Sequence, residues 1–174
     1  MKLSKKFFKK TEKGFTLLEL LIVVAIIGIL AGLIFLAIGD SRNRARDSRR
    51  MSDFRQIPSA QEWIINDDGA YVQSPEIAGH IPAAVNSSGY QYLARLVDPR
   101  NDAVYKYIWV ANDAPCGVIA AGKYYCAIAK LEERGACGAG ELHYFVAASG
   151  TAKEICDAAD FVANPPNCAW CLAI

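Results

Sequence analysis

Histidine is nearly missing from this 174-residue chain: there are two, His80 and His143. No Gly-rich phosphate loop and no His-Glu-x-x-His pattern occurs. The sequence therefore offers no nucleotide cradle, no zinc-protease motif and no catalytic constellation. Both histidines read as structural, and no enzyme activity, cofactor or metal ion is expected. Cysteine is absent from the first 115 residues; Cys116, Cys126, Cys137, Cys156, Cys168 and Cys171 all follow. Charge is missing from another stretch, residues 15–39, where Glu19 is the one ionisable side chain. A large net charge is missing as well. A formal +1 over the chain gives no global signature of nucleic-acid binding.

That small charge hides a split. Residues 1–14 hold Lys2, Lys5, Lys6, Lys9, Lys10 and Lys13 against Glu12, a net of +5, so the rest of the chain carries +1 minus +5, or −4. The apolar residues are unevenly placed too. As a helix, residues 15–39 would span roughly 37 Å, enough to cross a hydrocarbon core of about 30 Å with some tilt. The stretch has 17 Phe, Leu, Ile or Val residues. Together they favour insertion by about 5–10 kcal/mol, whereas one charged residue opposes it by about 3 kcal/mol at the membrane centre and less near an end. Insertion wins. Six lysines on one flank face six arginines on the other (Arg42, Arg44, Arg46, Arg49, Arg50 and Arg55), so counting cations does not orient the helix. The cysteines do. An even number of them in a loop-rich region beyond the span points to an oxidising compartment, with the lysine-rich end in the cytoplasm.

The string Lys13-Gly14-Phe15-Thr16-Leu17-Leu18-Glu19-Leu20-Leu21-Ile22-Val23-Val24-Ala25-Ile26-Ile27-Gly28-Ile29-Leu30-Ala31 closely resembles the class III signal of type IV pilins and type II secretion pseudopilins. In that family a prepilin peptidase cuts after the glycine and methylates the new amino terminus. The resemblance implies cleavage between Gly14 and Phe15, N-methylation of Phe15, and pairing of Glu19 with the Phe15 amine of a neighbouring subunit during assembly. A carboxylate at membrane depth is costly unless it finds such a partner. Ala25, Gly28 and Gly32 are small residues at a spacing that lets helix backbones approach closely, as a fibre core requires. Many family members carry a proline within the apolar helix; this chain reads Leu33-Ile34-Phe35-Leu36-Ala37 there instead.

Beyond Gly39 the helix is expected to continue. Arg49 with Asp53 and Asp47 with Arg50 stand at pairing distance, as does Asp40 with Arg44. Met51, Phe54, Ile57 and Ile64 form one apolar stripe. Pro58 should bend the helix, and Asn66-Asp67-Asp68-Gly69 should end it. The arginine-rich stretch, interleaved with acids, reads as a solvated ion-paired face that also suits anionic lipid headgroups. Residues 70–100, with Pro75, Pro82 and Pro99, read as a long connecting loop. Asp98-Pro99 with Tyr105 and Tyr107 loosely resembles the Asp-Pro…Tyr-x-Tyr approach to the sheet in major pseudopilins. Strands are expected over 103–111, 123–131 and 141–148, forming an antiparallel sheet covered by the 51–65 stripe.

The expected fold is therefore α+β and type IV pilin-like: a long N-terminal helix, its first half transmembrane, packed on a small antiparallel sheet with a disulfide-bearing C-terminal region. Its expected segments are a leader (1–14), a transmembrane and fibre-core helix (15–39), its continuation (40–66), a connecting loop (67–102) and a sheet domain with a cysteine-rich tail (103–174). Cys116 with Cys126 is the expected bridge across the first hairpin; the remaining pairings stay open. Cys168-Ala169-Trp170-Cys171 admits two other readings: a redox pair, though too few residues follow to build the activating helix, or half a zinc site completed by Cys137, Cys156 or His143. Asp157 and Asp160 lack the motif around the calcium site of major pseudopilins, and that site is not carried over.

The function implied is a structural subunit of a type IV pilus-like fibre, with a type II secretion pseudopilin as the alternative. A membrane-anchored thiol oxidoreductase and a DNA-binding minor pilin using residues 42–55 stand further off. The partners implied are further copies of the chain in a helical fibre, the prepilin peptidase, an inner-membrane assembly platform and membrane lipid, but not nucleic acid. The precursor belongs in the inner membrane as a single-pass protein, and the assembled fibre outside the cell or in the periplasm.

Overall fold

Isoleucine, leucine and arginine are the commonest residues over 17–68, and leucine and arginine are sound helix formers. One helix, α1 (Leu17–Asp68), runs unbroken for 52 residues. Pro58 lies inside it without interrupting it. Its end follows the expected chemistry: Gly69 takes a φ of 73°, and its N–H donates to the Ile65 carbonyl at 2.9 Å. The computed structural model describes residues 14–74, 79–112, 114–133, 135–164, 166 and 168–173, with side chains for all of these but 35–38, 168 and 169. Most of the expected leader, residues 1–13, lies outside them.

The chain divides into two units, Met1–Ser41 and Arg42–Ile174. In the first, Leu17–Ile34 is the one stretch among the described residues long and apolar enough to cross a membrane, and none of it is buried.

The second unit is built on a four-stranded antiparallel sheet of β5 (Tyr107–Ala111), β6 (Tyr125–Lys130), β7 (Leu142–Ala148) and β8 (Thr151–Asp157), in that spatial order. Three of these match the expected strands. The fourth was not expected. The 70–100 stretch is not plain loop either. It holds β1 (His80–Ile81), β2 (Ala84–Val85), β3 (Gln91–Leu93) and β4 (Leu96–Val97), paired as two antiparallel ribbons, β1 with β4 and β2 with β3.

Side-chain alternation on the sheet gives two cores. Tyr107, Trp109, Tyr125, Ala127, Ala129, Phe145 and Ala147 face Phe54, Ile57, Ala60 and Ile64 of α1, with Met51 packed at the margin. Phe54 meets Tyr107 and Phe145 edge-on, at centroid distances of 5.0 and 6.3 Å. The 51–64 stripe thus covers the sheet as its periodicity predicts. The opposite face is covered as well. Ile108, Tyr124, Cys126, Ile128, Tyr144 and Val146 pack with Phe161, Val162 and Cys171 of the C-terminal tail. That tail ends in a short helix, α2 (Cys168–Leu172), where the sequence offered too few residues to expect one. The architecture is the α+β, type IV pilin-like arrangement expected, with a second covering layer supplied by the tail.

Candidate functional site

The start of α1 is fixed by its own side chains. The Thr16 N–H and hydroxyl both donate to Glu19 Oε2, at 2.9 and 2.8 Å, and the Glu19 N–H donates back to Thr16 Oγ1 at 3.2 Å. This reciprocal arrangement is a capping box, which satisfies amides that the first helical turn leaves without partners. In the single chain Glu19 is therefore held by Thr16, and Phe15 stands beside it, 84 % exposed. Thr16 was not singled out from the sequence, although Thr-x-x-Glu before an apolar run is the pattern that marks such a box.

After this cap the helix surface is apolar and open. Leu17, Leu18, Leu20, Leu21, Ile22 and the Val, Ile and Leu residues on to Ile34 are exposed. A methyl group built at Gly28 or Gly32 would meet nothing within 4 Å. Ala25 is likewise exposed. Gly28 and Gly32 sit four residues apart, hence on one side of the helix.

The cysteines follow a different pairing from the one expected. Cys126 of β6 bonds to Cys171 of α2, not to Cys116, and Cys137 bonds to Cys156 of β8. Cys116 is also disulfide-bonded. The cause is topological. Cys126 alternates onto the sheet face that the tail covers, where Cys171 is buried beside it. Two readings fall with this pattern. Cys171 is bridged to Cys126, so Cys168-x-x-Cys171 does not form its own redox couple. Cys137 and Cys156 are bridged to each other, and His143 Nε2 lies 3.1 Å from Glu154 Oε2, so these three do not complete a zinc site. The Cys168 side chain lies outside the described ones.

The arginine stretch is only partly the solvated face expected. Arg49 is exposed and 4.0 Å from Asp53. Arg50 is wholly buried and lies among three carboxylates: Asp98, Asp47 and Glu132. Arg46 grips Glu132 with Nε and Nη2, each at 2.6 Å. Asp47 accepts the N–H groups of Glu132 and Glu133 at 2.9–3.0 Å. Hydrogen bonds from Arg46, against the opposing effect of burial and with help from Arg50, hold the Glu132 carboxyl at about 2. These arginines bind the chain's own acids, which weighs against a nucleic-acid groove on this stretch.

Residues 9–35 match the model of the prokaryotic N-terminal methylation motif. Among curated proteins, the type IV major pilin protein PilA of Myxococcus xanthus is 32 % identical over 91 residues, 52 % of this chain and 41 % of that one. A fimbrial protein of Pseudomonas aeruginosa is 42 % identical over 65 residues, 37 % of this chain and 42 % of that one. The type IV major fimbrial protein FimA of Dichelobacter nodosus is 46 % identical over 59 residues, 34 % of this chain and 38 % of that one. The chain thus spans about two-fifths of the length of these curated relatives. No solved structure matches.

Proposed function

We propose that this chain, which carries the prokaryotic N-terminal methylation motif, is the precursor of a structural subunit of a type IV pilus-like fibre. The observation that carries the reading is the match over residues 9–35. It straddles the Gly14–Phe15 bond and continues into an apolar helix with no burial of its own. The names of the similar proteins, pilins and fimbrial proteins, favour a pilus over a secretion pseudopilus.

In this reading the peptidase removes residues 1–14 and methylates the Phe15 amine. Before cleavage, residues 15–39 anchor the precursor in the inner membrane with the leader in the cytoplasm. The assembly platform then moves the helix out of lipid and against other copies, with Gly28 and Gly32 admitting a neighbouring backbone. Both Thr16 bonds end on Glu19 Oε2, so Oε1 is the oxygen that an incoming Phe15 amine would meet. The capping box thus aims the carboxylate while leaving its charge to be neutralised by the next subunit.

Intact-mass spectrometry of protein extracted from sheared surface fibres tests the proposal. The expected mass is that of residues 15–174 with one added methyl group, less the hydrogens lost to disulfides. A different amino terminus in fibres, or no chain in fibres at all, would overturn it.

A further inference from the structure

Two large rings in the second unit stand in solvent where apolar area is ordinarily withdrawn: Trp63 of α1, 58 % exposed, and Tyr90 before β3, 64 % exposed. Tyr92 joins them. Its ring stacks on Trp63 with centroids 6.1 Å apart and planes 13° from parallel, and lies 4.9 Å from Tyr90.

The cluster is fixed in place. The Tyr92 hydroxyl and Asn86 Nδ2 both donate to Asp67 Oδ2, at 2.6 and 2.7 Å, and the Tyr90 N–H donates to Asn86 Oδ1 at 2.8 Å. Asp68 accepts the N–H and the hydroxyl of Ser87 in the same turn, at 2.8 and 2.7 Å. The Tyr92 ring, held by its hydroxyl, and the anchored Tyr90 backbone lose little freedom when a ligand arrives.

The surroundings narrow the ligand class. Trp63, Asn86, Tyr90 and Tyr92 line an open depression of about 510 Å³. Trp63 also borders a second one, of about 440 Å³, with Glu62, Ile65 and Asn66. Neither is lined by a lysine or arginine among the described residues, and the nearby charges, Glu62 and Asp67, are negative. A phosphate-bearing strand would be repelled here. A purely apolar partner would strand the amides and carboxylates at the rim. An uncharged sugar suits both halves of the surface. Its C–H faces lie on the rings, and its hydroxyls exchange hydrogen bonds with Asn66, Asn86 and Glu62.

We propose that the Trp63–Tyr92–Tyr90 surface binds an uncharged saccharide chain. The test titrates the full-length chain, in a detergent without a sugar headgroup, with maltohexaose, cellohexaose and chitohexaose, and with oligothymidylate for comparison. Saturable binding of at least one hexasaccharide is expected, little altered by salt because the ligand carries no charge. Trp63→Ala should weaken it about tenfold, the worth of roughly one aromatic contact, and Trp63→Phe should restore most of it. Thermal unfolding of both variants establishes that they fold; if Trp63→Ala does not, Tyr90→Ala takes its place. Failure of all three sugars to bind would overturn the proposal. So would tighter, salt-sensitive binding of oligothymidylate, or concentration-dependent self-association that Trp63→Ala abolishes.

Discussion

Arg50 and Asp98 face each other edge to edge: Nε lies 2.7 Å from Oδ2 and Nη2 lies 2.8 Å from Oδ1, with both side chains wholly buried. The pair joins the α1 helix to a turn 48 residues further along the chain. Asp98 Oδ1 also accepts the Arg100 and Asn101 N–H groups, at 2.8 and 3.2 Å. The guanidinium thus joins helix and turn directly by charge. Its planar, forked donors suit the task in a way that a lysine ammonium does not.

Removing Arg50 should therefore cost far more than removing an exposed arginine. Arg50→Ala leaves Asp98, Asp47 and Glu132 without their shared counter-charge. The expected loss is about 3–5 kcal/mol in denaturant unfolding of the second unit. Arg49→Ala should cost less than about 1 kcal/mol, because its guanidinium is exposed and 4.0 Å from Asp53. Equal losses for the two variants would show that Arg50 is not the hub of the network.

Acid should loosen the same network. The Glu132 carboxyl is lowered from 4.5 to about 2, by hydrogen bonds from Arg46 against the cost of burial. A depressed carboxylate stabilises the fold in full above its unfolded value, and that stability drains away as the pH falls through the folded one. The window here is pH 4.5 down to about 2, and the contribution is about 3 kcal/mol. Glu132→Gln should be less stable at neutral pH and should lose less on acidification than the parent, as measured by thermal unfolding across that range.

The disulfide pattern predicts a peptide map. Non-reducing digestion should release Cys126 linked to Cys171 and Cys137 linked to Cys156, and no peptide linking Cys116 to Cys126. Cys137→Ser paired with Cys156→Ser should destabilise the second unit by about 2–5 kcal/mol. A map with Cys168 joined to Cys171 would revive the redox reading.

Glu19→Ala separates anchoring from assembly. The substitution makes α1 more apolar, so the chain should insert in the membrane and be cleaved at least as well as the parent. It also removes the carboxylate proposed to meet the Phe15 amine, so sheared fibres should be lost or sharply reduced on immunoblots. Normal fibre yield would count against the assembly role.

What the sequence revealed, it revealed through local spacing. The Glu19 signal, the apolar run, the Phe54–Ile57–Ile64 stripe and the Gly69 stop all lie within a few residues of what defines them. Strand β8 escaped because it lies at the sheet edge. Thr151-Ala152-Lys153-Glu154 shows no apolar alternation. The two- and three-residue strands of the 80–97 ribbons are too short for any period to register. Arg50 escaped for a different reason. Its neighbour Asp47 was visible at helical spacing, but Asp98 and Glu132 stand 48 and 82 residues away. Nothing local distinguishes Arg50 from the exposed arginines around it. The bridges were hidden in the same way, since the partner of Cys126 depends on which sheet face the tail covers.

No cysteine occurs in α1, so every disulfide lies on the sheet-and-tail side of the second unit. The described bridges stitch β6 to α2 and β8 to the segment before β7. Among the described residues, the 42–68 stretch of the helix is thus held to the sheet by packing at Phe54, Ile57, Ala60 and Ile64 and by the Arg46 and Arg50 ion pairs, and no disulfide joins it to the sheet. Under tension the sheet with its tail would stay knitted as one piece while the helix peeled from it. The chain would then lengthen before any sulfur bridge felt the force, and on release it would have a preassembled surface to close back onto.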